Sequence, residues 1–150
     1  MWKMRIKAMP EFKTVCQTIT ADLKTGPDIQ DITPELRGFV TSSGVVNGVV
    51  HLFVIGSTGS LTTIEHEPGV VADLKRAITA LAPPDQEYAH EQAWHDGNGH
   101  SHVQAALLGP CLSVPVRDGA LVTGTWQQVV VINHDNGPRT RKIALTLTGM

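Results

Sequence analysis

Four of the chain's seven histidines, His90, His95, His100 and His102, fall within thirteen residues, and chemistry is to be sought there first. Neutral imidazoles converging at about 2 Å hold a divalent ion, and a catalytic zinc takes three protein ligands and a water. Imidazole also titrates near neutrality and serves as a general acid or base. His100-Ser101-His102 is the sharpest pairing, with His90 upstream. On a strand the two rings of a His-x-His pair share one face. At the start of a helix they diverge by about 200°, so that only one of them then ligates. Solvated loop histidines without a role are the plainer alternative. Asn98-Gly99, just before the pair, permits the unusual backbone of a tight turn.

Acidic partners are offered by Glu65-His66-Glu67, expected at the end of a strand, and by Asp73 on the following helix. Glu65 and Glu67 would share one strand face, as metal ligands or, where burial raises a carboxyl pKa, as general base. A strand end emerging into water is also charged without any such role. Ser57-Thr58-Gly59-Ser60 is a hydroxyl- and glycine-rich turn that offers amides and hydroxyls to an anion. It lacks the lysine of a Walker sequence, and an ordinary turn explains it equally. Gly137-Pro138-Arg139 with Arg141 places two guanidinium groups on one strand face, suited to phosphate or carboxylate, or simply to solvent. Gly124-Thr125-Trp126-Gln127 sets an aromatic ring and an amide at a strand start. Trp126 fits a core, and Gln127 a pocket wall.

The elements that must position these groups follow from periodicity and punctuation. Alternation over Lys3–Ala8 predicts a strand, paired through a Met9-Pro10 turn with a second over Phe12–Ile19. Asp28–Glu35 signals a helix start, with Thr33 as cap, Pro34 in the first turn and Ser43-Gly44 as its end. Val45–Ile55 reads as a buried strand, Gly56–Ser60 as a turn and Leu61–Glu65 as the next strand. Pro68-Gly69 opens a helix with Val70, Leu74, Ala77, Ile78 and Leu81 on its apolar face, closed by Pro83-Pro84. Asp85–Asn98 is aperiodic and reads as a functional loop. A short helix over Ser101–Leu108 ends at Gly109-Pro110. Strands are expected over Cys111–Val116, Ala120–Thr123, Trp126–Ile132 and Lys142–Thr148. Strand runs with two or three interposed helices predict an α+β fold, helices on one side of a largely antiparallel sheet.

Composition narrows the function classes. A chain of 150 residues without repeats or linkers is expected to form one domain over 1–150. With 17% charged residues and a net charge of −2, it gives no electrostatic reason to bind nucleic acid or an anionic membrane. The longest strongly apolar stretch, Val49–Ile55, falls far short of the ~20 residues of a membrane span. Lys3, Arg5, Lys7, Glu11 and Lys13 near the start, without an apolar run, argue against a secretory signal. Two cysteines, Cys16 and Cys111, are too few for a disulfide framework, and the expected compartment is the cytoplasm.

Taken in order, the motifs resemble a known family. They are Ser60-Leu61-Thr62, Glu65, Pro68-Gly69, Asp73, Tyr88-x-His90, Asn98-Gly99-His100-Ser101-His102 and Leu108-Gly109. Val114-Pro115-Val116, Gly119-x-Leu121, Gly124-Thr125-Trp126-Gln127 and Gly137-Pro138-Arg139 complete the set. The set is similar to the YjbQ-like family, also called the secondary thiamine-phosphate synthase family, strongly over residues 45–149. The resemblance implies a small α+β fold, a homotrimer and a His-rich, anion-accepting cleft. It implies as cofactor a divalent metal such as zinc, held by His90, His100 and His102. As catalytic groups it implies Glu65, His90, His102 and Arg139. Ser57, Thr58, Ser60, Asn98, Gln127, Arg139 and Arg141 are then the contacts to a small phosphorylated metabolite. The implied reaction is that of a thiamine-phosphate synthase, joining a pyrimidine pyrophosphate to a thiazole phosphate. A metal-dependent phosphoester hydrolase and a non-catalytic trimeric binding module for a small anion are the alternatives. One departure stands out: where the family carries a His-Thr-Thr-Ala-like turn, this chain has Gly56-Ser57-Thr58-Gly59. His100 or the strand residue His51 is the candidate replacement for the missing imidazole.

Overall fold

The structure, a computed structural model, describes residues 11–150, and the strand expected over Lys3–Ala8 with its Met9-Pro10 turn lies outside them. Eight strands and four helices occur among the described residues. In order they are β1 (Lys13–Leu23), β2 (Asp28–Asp31), α1 (Thr33–Ser43), β3 (Gly48–Ile55), β4 (Gly59–Ile64) and α2 (Pro68–Leu81). Then follow α3 (Glu91–Trp94), α4 (Gly99–Leu108), β5 (Cys111–Arg117), β6 (Ala120–Leu121), β7 (Gln128–Asn133) and β8 (Arg139–Gly149). The α+β class holds, but there are two sheets rather than one. A five-stranded sheet runs β1-β8-β3-β5-β6 and a three-stranded one β2-β7-β4, with every pairing antiparallel.

The main core lies between the two sheets. Val50, Leu52 and Val54 of β3 and Ile143, Leu145 and Leu147 of β8 meet Leu61, Val129 and Val131, and α1 closes one end with Leu36, Phe39 and Val40. The opposite face of the small sheet is covered by helices, where Val130 and Ile132 pack with Ile29, Ile78 and Leu108. Strand β7 is therefore buried on both faces. That explains its unbroken Val-Val-Val-Ile run in an antiparallel sheet where alternation is the norm.

Several expected boundaries move for local reasons. Thr33 does not cap α1. It is the first helical residue, and its hydroxyl accepts from Val129 N at 2.8 Å while Asp31 Oδ1 receives the Thr33 amide at 2.8 Å. The stretch read as lead-in to that helix forms β2. Strand β4 stops at Ile64, so Glu65 and Glu67 do not share a strand face. Glu67 instead caps α2, its carboxylate accepting from Gly69 and Val70 N. Trp126 is not core: it lies outside β7 and is 70% exposed. The described partner of β1 is β8, from Lys13 opposite Gly149 to Leu23 opposite Arg139. Among the described residues, no helix is long and apolar enough to cross a membrane.

Candidate functional site

The aperiodic stretch before α4 is folded tightly around one carboxylate. Glu91, at the start of the single-turn α3, accepts from Gly97 N at 2.7 Å and Gly99 N at 3.0 Å. These two amide bonds hold its carboxyl below the usual range. His95 and Gly97 adopt positive φ, 52° and 70°, to bring the chain round to those bonds. The α4 N-terminus, otherwise an anion site, is thus already occupied by the chain's own carboxylate.

Helix α4 begins at Gly99, two residues earlier than expected, and so takes both His100 and His102. The helical geometry separates them. His102 turns toward His90, ring centroids 4.7 Å apart. His100 turns inward, buried beside Tyr88 and against Ser101 Oγ at 3.2 Å from its Nε2. Burial lowers the His100 pKa, and Glu91 and Asp135 oppose that only in part. His90, His100 and His102 therefore do not form one ligand set. Among the described residues, the group placed to hold a metal is His90, Glu91 and Asp96, whose ligand atoms lie within 4.8 Å of one another. His90 Nε2 is sealed from solvent without a hydrogen-bond partner and lies 3.4 Å from Asp96 Oδ1. Two ligand atoms on a tetrahedral zinc stand about 3.3 Å apart, so this pair fits a divalent ion, with His102 alongside.

Beneath the loop lies a buried polar network built on the end of β7. Asn133, His134 and Asp135 are all sealed. Thr58 Oγ1 donates to Asp135 Oδ2 at 2.9 Å, and Arg139 meets the same carboxylate through Nε at 3.0 Å and Nη2 at 3.1 Å. Burial alone would raise the Asp135 pKa, but hydrogen bonds from Arg139, Thr58 and Asn98 outweigh it and the carboxyl falls below its usual value. Arg141 is buried between the sheets. Its Nε donates to Asn133 Oδ1 at 3.1 Å and its Nη2 to Thr58 Oγ1 at 2.7 Å and Thr58 O at 2.9 Å. Gly59 lies close against the five-stranded sheet here: a Cβ there would sit 3.1 Å from Val54 Cγ2 and in van der Waals contact with Arg141. On the other face of β4, Ser60 Oγ sits 2.7 Å from His134 Nε2, and His134 Nδ1 lies 3.2 Å from Gln104 Oε1. Burial, then Arg141 and His100, push His134 down to about 4.

A cleft of about 500 Å³ opens between this network and α4, lined by Gly56, Ser57, Gly59, His102, Ala105, Ala106 and Pro110. Ser57 and His102 face it. The side-chain hydroxyls of Thr58 and Ser60 lie below it, engaged in the network. Asn98, also buried, braces the far side by accepting from Asn136 N at 3.2 Å. Arg139 shares its strand parity with Arg141 but is held on Asp135 and borders a separate hollow of about 180 Å³ with Asp22 and Pro138.

Two expected members lie elsewhere. Strand β4 runs about 17 Å at ~3.3 Å per residue, and Glu65 follows its far end, exposed. Gln127 is at that end too, donating to Thr63 Oγ1 at 3.0 Å while its Oε1 accepts from Gly124 N at 3.1 Å. The Gly124-Thr125 pair lines a different cleft, about 400 Å³, with Arg37 and Thr41 of α1. His51 points out of the five-stranded sheet toward Ser113 Oγ, 2.8 Å away, and cannot stand in for an imidazole at position 56. Sequence reasoning missed Glu91, Asp96, Asn133, His134 and Asp135. The signal for the last three was present: a polar triplet directly after the apolar run of β7.

Comparison with known proteins agrees with this architecture. The family model described as UPF0047 protein YjbQ-like matches residues 17–150. A UPF0047 protein of Methanothermobacter thermautotrophicus is 34% identical over 122 residues, 81% of this chain and 83% of that protein. The UPF0047 protein YjbQ of Salmonella typhimurium is 35% identical over 120 residues, 79% and 84% of the two chains. Among solved structures, a YbjQ-like protein of unknown function from Sulfolobus solfataricus superposes with a TM-score of 0.88 at 31% identity, covering 93% of this chain and all of that one. A yjbq/upf0047 family protein from Clostridium acetobutylicum gives 0.75 at 31%, covering 86% and 98%. The chain belongs to the UPF0047 YjbQ-like family.

Proposed function

We propose that the chain binds a small phosphorylated metabolite in the Ser57–His102 cleft and acts there as a transferase of the thiamine-phosphate synthase type. The observation that carries this reading is the placement of the hydroxyl-bearing Ser57 turn opposite His102, itself beside the tilted ring of His90, across one cleft. In the reaction, the C–O bond between a pyrimidine methylene and its pyrophosphate breaks and the electron pair leaves with pyrophosphate. The thiazole nitrogen then closes the new C–N bond with its lone pair. Such chemistry asks the protein for positioning and electrostatics more than for covalent participation. The turn would hold phosphoryl oxygens, and His102 would donate to the departing pyrophosphate. A divalent ion, held by His90 and Asp96, supplies charge neutralisation for that leaving group when bound. Incubating the protein with both phosphorylated precursors and magnesium or zinc is expected to yield thiamine phosphate. No product with either ion would overturn the transferase reading.

The His90–Asp96 spacing favours a second reading, hydrolysis of a phosphoester with a divalent ion. Release of phosphate from simple phosphoesters, abolished by chelator, without coupling activity, would select it. Binding of phosphorylated ligands with neither activity would leave the binding-module alternative. We also propose the homotrimer: the outer face of the five-stranded sheet leaves Phe53 and Ile55 half-exposed side by side on β3, apolar area that an assembly would cover. A solution mass three times the chain's 16.2 kDa is expected, and a monomer at micromolar concentration would contradict it.

A further inference from the structure

Arg141 is 6% exposed, and three of the five N–H groups of its guanidinium are fixed on Asn133 and Thr58. Among the described residues no hydrogen bond takes either N–H of Nη1, and that nitrogen is not among the sealed atoms. It points at Gly56. A Cβ built on Gly56 would lie 3.1 Å from Nη1 and would meet no other atom within 4 Å. Gly56 also has φ +124°, a conformation that favours glycine, so the turn is shaped to keep that space clear. The backbone N–H groups of Gly56, Ser57 and Thr58 likewise donate to no other described residue.

Charge points the same way. Among the described residues, Arg139 and Arg141 share a single carboxylate, Asp135, which leaves one positive charge in excess around a largely buried guanidinium. Unpaired buried charge is unfavourable, and an anion arriving at Nη1 would relieve it with charge-assisted hydrogen bonds. The seat lies beside the 500 Å³ cleft through their shared residue Gly56, with Ser57 Oγ at the rim. The α4 N-terminus cannot serve instead, because Glu91 holds it.

We propose that the space over Gly56 is a phosphoryl seat, in which Arg141 Nη1 and the amides of the Gly56–Thr58 turn receive the oxygens. Gly56 is the residue that admits the group, since any side chain there covers Nη1. This rests on the reading that the ligand is phosphorylated, and adds where the phosphoryl group binds and what selects it.

The test uses inorganic phosphate and pyrophosphate with the full chain. Titration followed through the arginine side-chain ¹H–¹⁵Nε resonances is expected to shift Arg141 together with the Ser57 and Thr58 amides. By calorimetry, Gly56→Ala is expected to weaken pyrophosphate about tenfold or more. Gly38→Ala, on an open face of α1 with nothing within 4 Å, is expected to bind as the native chain does. Should Gly56→Ala not fold, the native titration still decides. Binding that shifts Arg139 or the His90 and His102 rings while Arg141 stays still overturns the seat and leaves the phosphorylated-ligand reading intact. No binding of either anion overturns both.

Discussion

Ser60 Oγ lies 2.7 Å from His134 Nε2, and both residues are completely buried. The arrangement fixes a tautomer. Gln104 Nε2 donates to Ala82 O at 2.9 Å, which turns Gln104 Oε1 toward His134 Nδ1, so Nδ1 carries the proton and Nε2 accepts from Ser60. The order resembles a hydrolytic triad, but with no solvent access it ties β4 to α4 rather than attacking anything.

Its titration is expected to show in stability. The His134 pKa is about 4 in the folded chain against 6.5 for the free side chain, so the unfolded chain binds the extra proton between those values. Stability is therefore full above pH 6.5 and falls as pH drops toward 4, by about 3 kcal/mol in total from this group. The lowered pKa of Asp135 acts separately, at pH below the ordinary aspartate value of 3.8. Urea unfolding across pH 4 to 6.5 is expected to slope less in His134→Gln than in the native chain, although the variant starts less stable. Equal slopes would refute the assignment.

Among the described residues, Asp135 is the single counter-charge for Arg139 and Arg141. Asp135→Asn strands a buried guanidinium and is expected to lower unfolding free energy by about 3 kcal/mol. Arg139→Gln, on the exposed side, is expected to change it by less than about 1 kcal/mol. Denaturant midpoints of the two variants check the order, and the reverse order would contradict the network as described.

Zinc binding separates the ligand set implied by the sequence from the one the fold assembles. His90→Ala and Asp96→Asn are each expected to weaken zinc at least about tenfold, as removal of a ligand does, and His100→Ala to leave it nearly unchanged. Competition with a chromophoric chelator reads the affinities. Loss in His100→Ala equal to that in His90→Ala would restore the His90–His100–His102 set.

The sequence made some of this legible and hid the rest for identifiable reasons. Apolar runs and the Pro68-Gly69 start located β3, α2 and β8 closely, although β3, read as a buried strand, alternates and buries only one face. The His-rich stretch was recognisable, and so was the warning that a helical His-x-His diverges; where α4 begins decided it. Glu65 was misplaced because a charged strand end looks the same whether it faces a site or solvent, and β4 carries it away from the histidines. Asp135 and His134 escaped notice because their importance comes from long-range pairing: β4 lies beside β7, which brings Thr58 Oγ1 within 2.9 Å of Asp135 Oδ2, and the other sheet then supplies Arg139 and Arg141 from β8. No local pattern encodes that meeting.

The most direct measurement of the central claim is a crystal structure grown with the pyrimidine pyrophosphate precursor. Two clefts compete for it, one lined by Gly56, Ser57 and His102, the other by Arg37, Thr41 and Thr125. Phosphoryl density is expected against the Gly56–Thr58 turn, within reach of His102. Density seated at Arg37 and Thr125, with the His102 cleft filled only by water, would contradict the claim.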